Sequence, residues 1–156
     1  MNNRLFRDAM GKFATGITIV TTEYNKEIKG MTVNAFMSVS LEPKLIAISI
    51  DEKASMYPIL QENKKFGLSI LKEDQKELSM IFAKQIEKDR EVPYKFLDEI
   101  PVIDGSLITL SCHVTETVKA GDHLIFIAEV SEMNTSDEDT NPILFYRGKY
   151  KSIDQN

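Results

Sequence analysis

Leu5, Phe6, Ala9, Met10 and Phe13 recur at the spacing of one helical face, with Asn2 or Asn3 placed to cap it. Gly16 ends that stretch, and the β-branched run Ile17 to Thr22 predicts a strand that turns through Tyr24-Asn25-Lys26-Glu27. A second strand is expected from Ile28 to about Ser40, long enough to be bent or bulged. Leu45 to Ile50 is almost wholly apolar and reads as a strand covered on both faces. Ser55 then opens a short helix, with Pro58 in its first turn and Ile59 and Leu60 facing inward. Phe66, Leu68 and Ile70 alternate as a strand, and Asp74-Gln75-Lys76-Glu77 resembles a capping box before a helix carrying Leu78, Ile81 and Phe82. From Gln85 to about Ser106 the periodicity fades among charges and two prolines, which predicts a long lid, binding or contact loop.

Periodicity returns with Ile108, Leu110, Cys112 and Val114, which alternate with Thr109, Ser111, His113 and Thr115 as a half-buried strand. Val118 to His123 turns through Gly121, and strands follow from Leu124 to Val130 and from Ile143 to Tyr150. Between them, Asp137, Glu138 and Asp139 belong to a solvated acidic turn. Many strands, few helices and no β-α alternation predict a mainly β (α+β) closed antiparallel barrel with attached helices. The 156 residues suit a single domain, 1–156, with one good core.

Composition narrows the chemistry by exclusion. A net charge of -5 provides no basic field for phosphate backbones, so nucleic acid is not an expected partner. The lone Cys112 forbids an intramolecular disulfide, no apolar run reaches the roughly 18 residues of a membrane span, and the first residues lack the apolar core of a signal peptide. A cytoplasmic location is expected. The seven glycines form neither a G-x-G fingerprint nor a P-loop. His113 and His123 are the only histidines, and Cys112 and His113 are neighbours that point to opposite faces of a strand, so no metal site is expected and Cys112 reads as a small core residue.

What remains suits a planar, phosphorylated ligand. Gly30 to Pro43 strings hydroxyls and an amide along a strand, with Thr32, Asn34, Phe36, Ser38 and Ser40 on one face if it is regular; the same pattern also fits an ordinary half-exposed strand. Asp51-Glu-Lys-Ala-Ser55 opens a helix, so Lys53, Ser55 and free N–H groups can seat a phosphate, or else Ser55 is only a cap and Lys53 only solvated. His123 after Gly121-Asp122 is a nicotinamide-contact candidate or a plain loop histidine. Tyr146-Arg147 offers a ligand contact or a surface cation–π pair.

Together, FRDAMGKFATGITIVTT (6–22), GMTVNAFMSVSLEP (30–43), KFGLSIL (65–71), AGDHLIFIAEV (120–130) and PILFYRGKY (142–150) resemble the flavin reductase-like family, in order and over nearly the whole chain. The resemblance implies an FMN-binding split β-barrel of Greek-key, antiparallel type. It further implies a homodimer that passes a hydride from NADH or NADPH to FMN or FAD, supplying a partner monooxygenase. A flavin-binding electron carrier or sensor is the alternative. By similarity, Thr32, Val33, Asn34 and Ala35 line the isoalloxazine with Ser40 and Leu41 close by, Asp51, Lys53, Ala54 and Ser55 hold the ribityl phosphate, and Phe82 packs near the cofactor. His123, Tyr146 and Arg147 are the nicotinamide candidates, and no protein side chain is expected to act as nucleophile or base. Asn34 stands where serine is common, and Lys84 replaces a glycine whose backbone freedom shapes the lid.

Overall fold

A computed structural model of the protein describes residues 1–136 and 139–153, so Asp137 and Glu138 of the expected acidic turn lie outside the described residues. Seven antiparallel strands form one sheet in the order β2-β1-β5-β8-β9-β4-β3. They are β1 (Thr18–Tyr24), β2 (Glu27–Val33), β3 (Phe36–Ser40), β4 (Leu45–Asp51), β5 (Lys65–Ile70), β8 (Ile108–Ala120) and β9 (His123–Thr135). The two edge strands, β2 and β3, are consecutive in the chain and joined only by Asn34 and Ala35. A two-residue link between opposite edges forces the sheet to curl until those edges meet at one end. This is the antiparallel architecture of the split barrel, mainly β with few helices.

The expected strand over 28–40 is therefore two strands. At the break, Phe36 N donates to Asn34 O (3.0 Å) and Ser49 N to Ala35 O (3.1 Å), which turns the chain from one edge to the other. The regular face shared by Thr32, Asn34, Phe36, Ser38 and Ser40 does not survive that break. The 85–106 segment also holds more structure than expected, since β6 (Tyr94–Leu97) and β7 (Ile100–Ile103) form a hairpin through Asp98-Glu99. Likewise Ile143 to Tyr150 is a hairpin of β10 (Leu144–Tyr146) and β11 (Lys149–Lys151), turned by Arg147-Gly148 at φ 52° and 76°. The turn before β9 needs only Gly121 and Asp122, so β8 runs on to Ala120.

Alternation sends side chains to two cores. Val20, Phe66, Leu68, Leu110, Cys112 and Phe126 fill the inner face, capped by Met56 and Leu60 of α2 (Met56–Asn63). Ile17, Ile19, Leu71 and Ile103 pack on the outer face with Leu78 and Ile81 of α3 (Lys76–Phe82). The β7 strand crosses that outer face so closely that Thr21 Oγ1 donates to Pro101 O (2.6 Å) and Ile103 N to Ser69 Oγ (2.9 Å). Thr109 and Ser111 are consequently buried, and the strand read as half-buried is covered on both faces there. A 3-10 turn, Glu73–Gln75, precedes α3, and Gln75 rather than Asp74 closes it, its Oε1 accepting from Lys72 N at 2.9 Å.

The first helix, α1 (Asn3–Met10), is capped as expected, Asn2 Oδ1 accepting from Leu5 N at 2.8 Å. Nevertheless, none of its residues is buried within the chain. Leu5, Phe6, Met10 and the following Phe13 all face solvent.

Candidate flavin and nucleotide site

Strand β4 is the spine of the site. Ala35 hydrogen-bonds to Ser49 on one side of it, and Asp51, two residues further, pairs with His123 of β9 on the other. The junction at 34–35, the 51–55 loop and the β8–β9 turn thus converge on one end of the curled sheet. Register brings them together, although they are far apart in sequence.

The loop after β4 is built by Asp51. Its Oδ1 accepts from Lys53 N (2.9 Å) and its carbonyl from Ala54 N (2.9 Å), so Asp51 shapes the turn and its carboxylate is already engaged. Ser55 sits at the N-cap of α2 with helical φ and makes no side-chain cap bond, which leaves its hydroxyl free. Helix geometry gives the N–H groups of Ser55 and Met56 no intrahelical acceptor. Ala54 packs against the inner core. Lys53 is exposed, whereas its neighbour Glu52 is taken by Lys119. Lys53, Ser55 and two N–H groups are what a phosphate requires.

His123 Nδ1 bonds to Asp122 Oδ1 at 2.7 Å. A carboxylate accepts, so Nδ1 carries the proton and Nε2 is the nitrogen left to meet a ligand. That hydrogen bond, ahead of the imidazole's charge, holds the Asp122 carboxyl below its ordinary range.

The β2 residues divide by role. Thr32 Oγ1 donates to Ser79 O of α3 (2.6 Å), so it ties the helix to the strand. Val33 is a core side chain, and its carbonyl accepts from Thr18 Oγ1 (2.6 Å). Asn34 is different: its Oδ1 is buried without a hydrogen-bond partner. Such an orphaned oxygen is what a bound ring bearing an N–H would satisfy, and the residues present fit a flavin. Phe82 lies against Gly30, where an added Cβ would come within 2.7 Å of Phe82 Cε1.

Two groups of expected residues lie on other elements. Ser40 and Leu41 lie at the far end of β3, where Ser40 pairs with Leu45, six residues along β4 from Asp51. That is about 20 Å at strand rise. Tyr146 and Arg147 sit beside α1, Arg147 N donating to Gly11 O at 2.8 Å. Hence His123 and the Tyr146-Arg147 pair are not neighbours on one strand pairing but belong to different hairpins.

A family model described as "Flavin reductase like domain" matches residues 10–154. The chain belongs to that family. An NADH-dependent flavin reductase from Rhodococcus sp is 37% identical over 151 residues, spanning 95% of this chain and 85% of that protein. The reductase component of a 4-hydroxyphenylacetate 3-monooxygenase from Thermus thermophilus is 34% identical over 143 residues, 92% of each. Among solved structures, the flavin reductase PheA2 in its native state superposes with a TM-score of 0.95 at 51% identity, covering 99% of this chain and 100% of that one.

Within this flavin reductase-like domain, Lys84 takes φ 59°, the left-handed conformation a glycine would adopt freely. The lysine accepts the glycine geometry, so the helix end is built as a Schellman turn, with Gln85 N bonded to Met80 O at 2.9 Å. Sequence reasoning missed Gly30 and Ser79, which dock α3 on β2. A glycine inside a strand was the available signal for Gly30; Ser79 gave none. Among the described residues no group of three or more His, Cys, Asp or Glu could hold a metal ion. Cys112 is a buried core residue whose thiol is pushed up to about 12 by burial.

Proposed function

We propose that this chain is an NADH-dependent flavin reductase that binds FMN or FAD at the β4 end of the sheet and supplies reduced flavin to a monooxygenase. The observation carrying this reading is the convergence on β4 of an unsatisfied Asn34 Oδ1, the Lys53-Ser55 loop and His123. The family and the relatives named above supply the reaction class. NADH is the donor named for the Rhodococcus relative, and the Thermus relative is a monooxygenase component.

A flavin held here would supply the hydride acceptor for reduced nicotinamide, and the protein's residues would bind and orient it. Lys53, Ser55 and the first N–H groups of α2 would hold the phosphate, while Asp51 fixes the loop that presents them. Asn34 and the Ala35 backbone would meet the polar edge of the ring, where hydrogen-bond donors would stabilise charge formed on reduction. Thr32 and Phe82 act indirectly, by seating α3 on β2. His123, its Nδ1 held by Asp122, would offer Nε2 to the nicotinamide nucleotide. Holding the reacting atoms about 3–3.5 Å apart is the remaining task.

The chain acts as one domain, 1–156, and as a homodimer in the cytoplasm. Supporting the dimer are the uncovered Leu5, Phe6, Met10 and Phe13 of the N-terminal segment and Met37 and Leu41 around β3. The separation of Ser40-Leu41 from Asp51 within one protomer also fits a site completed by a second copy. A buried, unpaired Cys112 suits a reducing compartment. Among the described residues no helix is long and apolar enough to cross a membrane.

Anaerobic stopped-flow mixing of flavin-loaded protein with NADH tests this. Rapid loss of the oxidised flavin absorbance is expected. A stable yellow colour in excess NADH would instead identify an electron carrier or sensor.

A further inference from the structure

A cavity of about 280 Å³ opens beside the 34–35 junction. Its apolar walls are Phe13, Ile17, Phe36 and Ile70, and its polar groups include Thr15 and Asn34. Four buried side-chain oxygens lack a hydrogen-bond partner among the described residues, and two of them, Thr15 Oγ1 and Asn34 Oδ1, belong to residues lining this one cavity. The Thr15 backbone is fully spent, since its N–H and C=O both pair with Phe145 (3.0 and 2.9 Å). Only the hydroxyl is left over. Asn34 is held likewise, its carbonyl accepting from Phe36 N at 3.0 Å.

Buried polar atoms are nearly always paired, because an orphan forfeits its bond to water without replacement. Two orphans bordering one apolar cleft define the guest that would relieve them. It must be flat and apolar over most of its area, to lie between phenylalanine and isoleucine side chains. It must also offer a donor to Asn34 Oδ1 and a group able to exchange a hydrogen bond with a threonine hydroxyl, which both donates and accepts. An aromatic heterocycle with adjacent N–H and C=O meets these conditions.

We propose that Thr15, together with Asn34, holds the amide-bearing edge of a planar ring in this cleft, which makes Thr15 a ring-positioning residue. The inference rests on the reductase reading, and two sources share the required chemistry: the imide edge of flavin and the carboxamide of nicotinamide. Thr15 lies one β-bridge from the β10–β11 hairpin, so the cleft also links the junction to the segment bearing Tyr146 and Arg147.

The test is Thr15→Val, which keeps the branched shape and removes the hydroxyl. Three quantities are measured: the melting temperature of the flavin-free protein, the flavin dissociation constant by fluorescence quenching, and NAD⁺ affinity for the flavin-loaded protein. The flavin-free variant should melt no lower than wild type, because an unsatisfied hydroxyl has gone. Flavin or NAD⁺ affinity should fall about tenfold, close to the worth of one buried hydrogen bond. A loss confined to flavin assigns the imide edge, and one confined to NAD⁺ assigns the carboxamide. Thr15→Ser, which retains the hydroxyl, should bind both within about twofold of wild type. If Thr15→Val fails to fold, Thr15→Ala carries the same comparison. Both affinities unchanged in the folded variant would overturn the proposal. So would a lower melting temperature with affinities intact, since the hydroxyl would then serve the fold. A wild-type protein that binds neither flavin nor NAD⁺ defeats the reductase reading itself, and that is seen before any variant is made.

Discussion

Gly67 and Lys84 show opposite uses of backbone at single positions. At Gly67 a Cβ would stand 2.0 Å from Pro101 O and 2.7 Å from Val102 Cγ1, and the obstacle is backbone held by the Thr21 and Ser69 hydrogen bonds. Gly67→Ala should therefore destabilise the protein by at least about 2–3 kcal/mol, read from the urea midpoint, because β7 must lift off the sheet. Lys84 has the reverse problem. Its left-handed backbone costs about 1–2 kcal/mol, against about 0.5–1 kcal/mol of extra chain entropy for a glycine there. Lys84→Gly should raise stability by about 0.5–1 kcal/mol in the same assay. The resemblance marks Lys84 in the sequence as standing where a glycine is common, whereas the demand on Gly67 comes from Pro101 and Val102 of the β6–β7 hairpin and shows only in the fold. The phosphate-seat candidates were more legible, because a Lys and a Ser at a strand-to-helix turn carry their chemistry locally. Their approach to His123 depends on the Asp51–His123 register, which no local pattern encodes.

At the scale of elements, the least legible part was the β6–β7 hairpin. Pro101 interrupts its second strand and charges dilute its first, so neither alternation nor composition marks it. Its apolar Ile100, Val102 and Ile103 are nevertheless all nearly inaccessible. The hairpin tip is pinned by Asp98, whose Oδ2 accepts from His113 Nε2 (2.9 Å) and Ser131 Oγ (2.7 Å). These bonds, that from His113 first, hold the Asp98 carboxyl below its ordinary 3.8. A carboxyl depressed in the folded state stabilises the fold above its unfolded value and loses that contribution as pH falls through the folded one. The melting temperature of the wild type should accordingly drop more steeply below pH 3.8 than that of Asp98→Asn. At neutral pH the variant should melt lower, having lost the charged acceptor. Parallel pH-dependence curves for the two proteins would show that the tip is held by something else.

For the whole molecule, the mainly β, antiparallel class was legible, and the strand order and the division of the chain among the strands were not. The strand-rich pattern predicted an antiparallel barrel, yet the two edge strands are joined through Asn34-Ala35, a break hidden inside one apparently continuous strand. The helix at the start was predicted with its cap, but its apolar face covers no core of its own protomer. That mismatch between a well-formed amphipathic helix and an empty interior is what a second copy would resolve. Leu5 and Phe6 are 61% and 51% exposed and belong to neither core, so charging them leaves the packing of both cores in place. If the chain is the proposed dimer, the double variant Leu5→Glu/Phe6→Glu should keep its circular dichroism spectrum while its mass by light scattering falls to that of a monomer. Flavin affinity should fall with it if the second copy completes the site, and should hold if each protomer binds alone. An unchanged dimer mass would place the interface elsewhere, with the exposed Met37 and Leu41 of the β3 segment the next residues to charge.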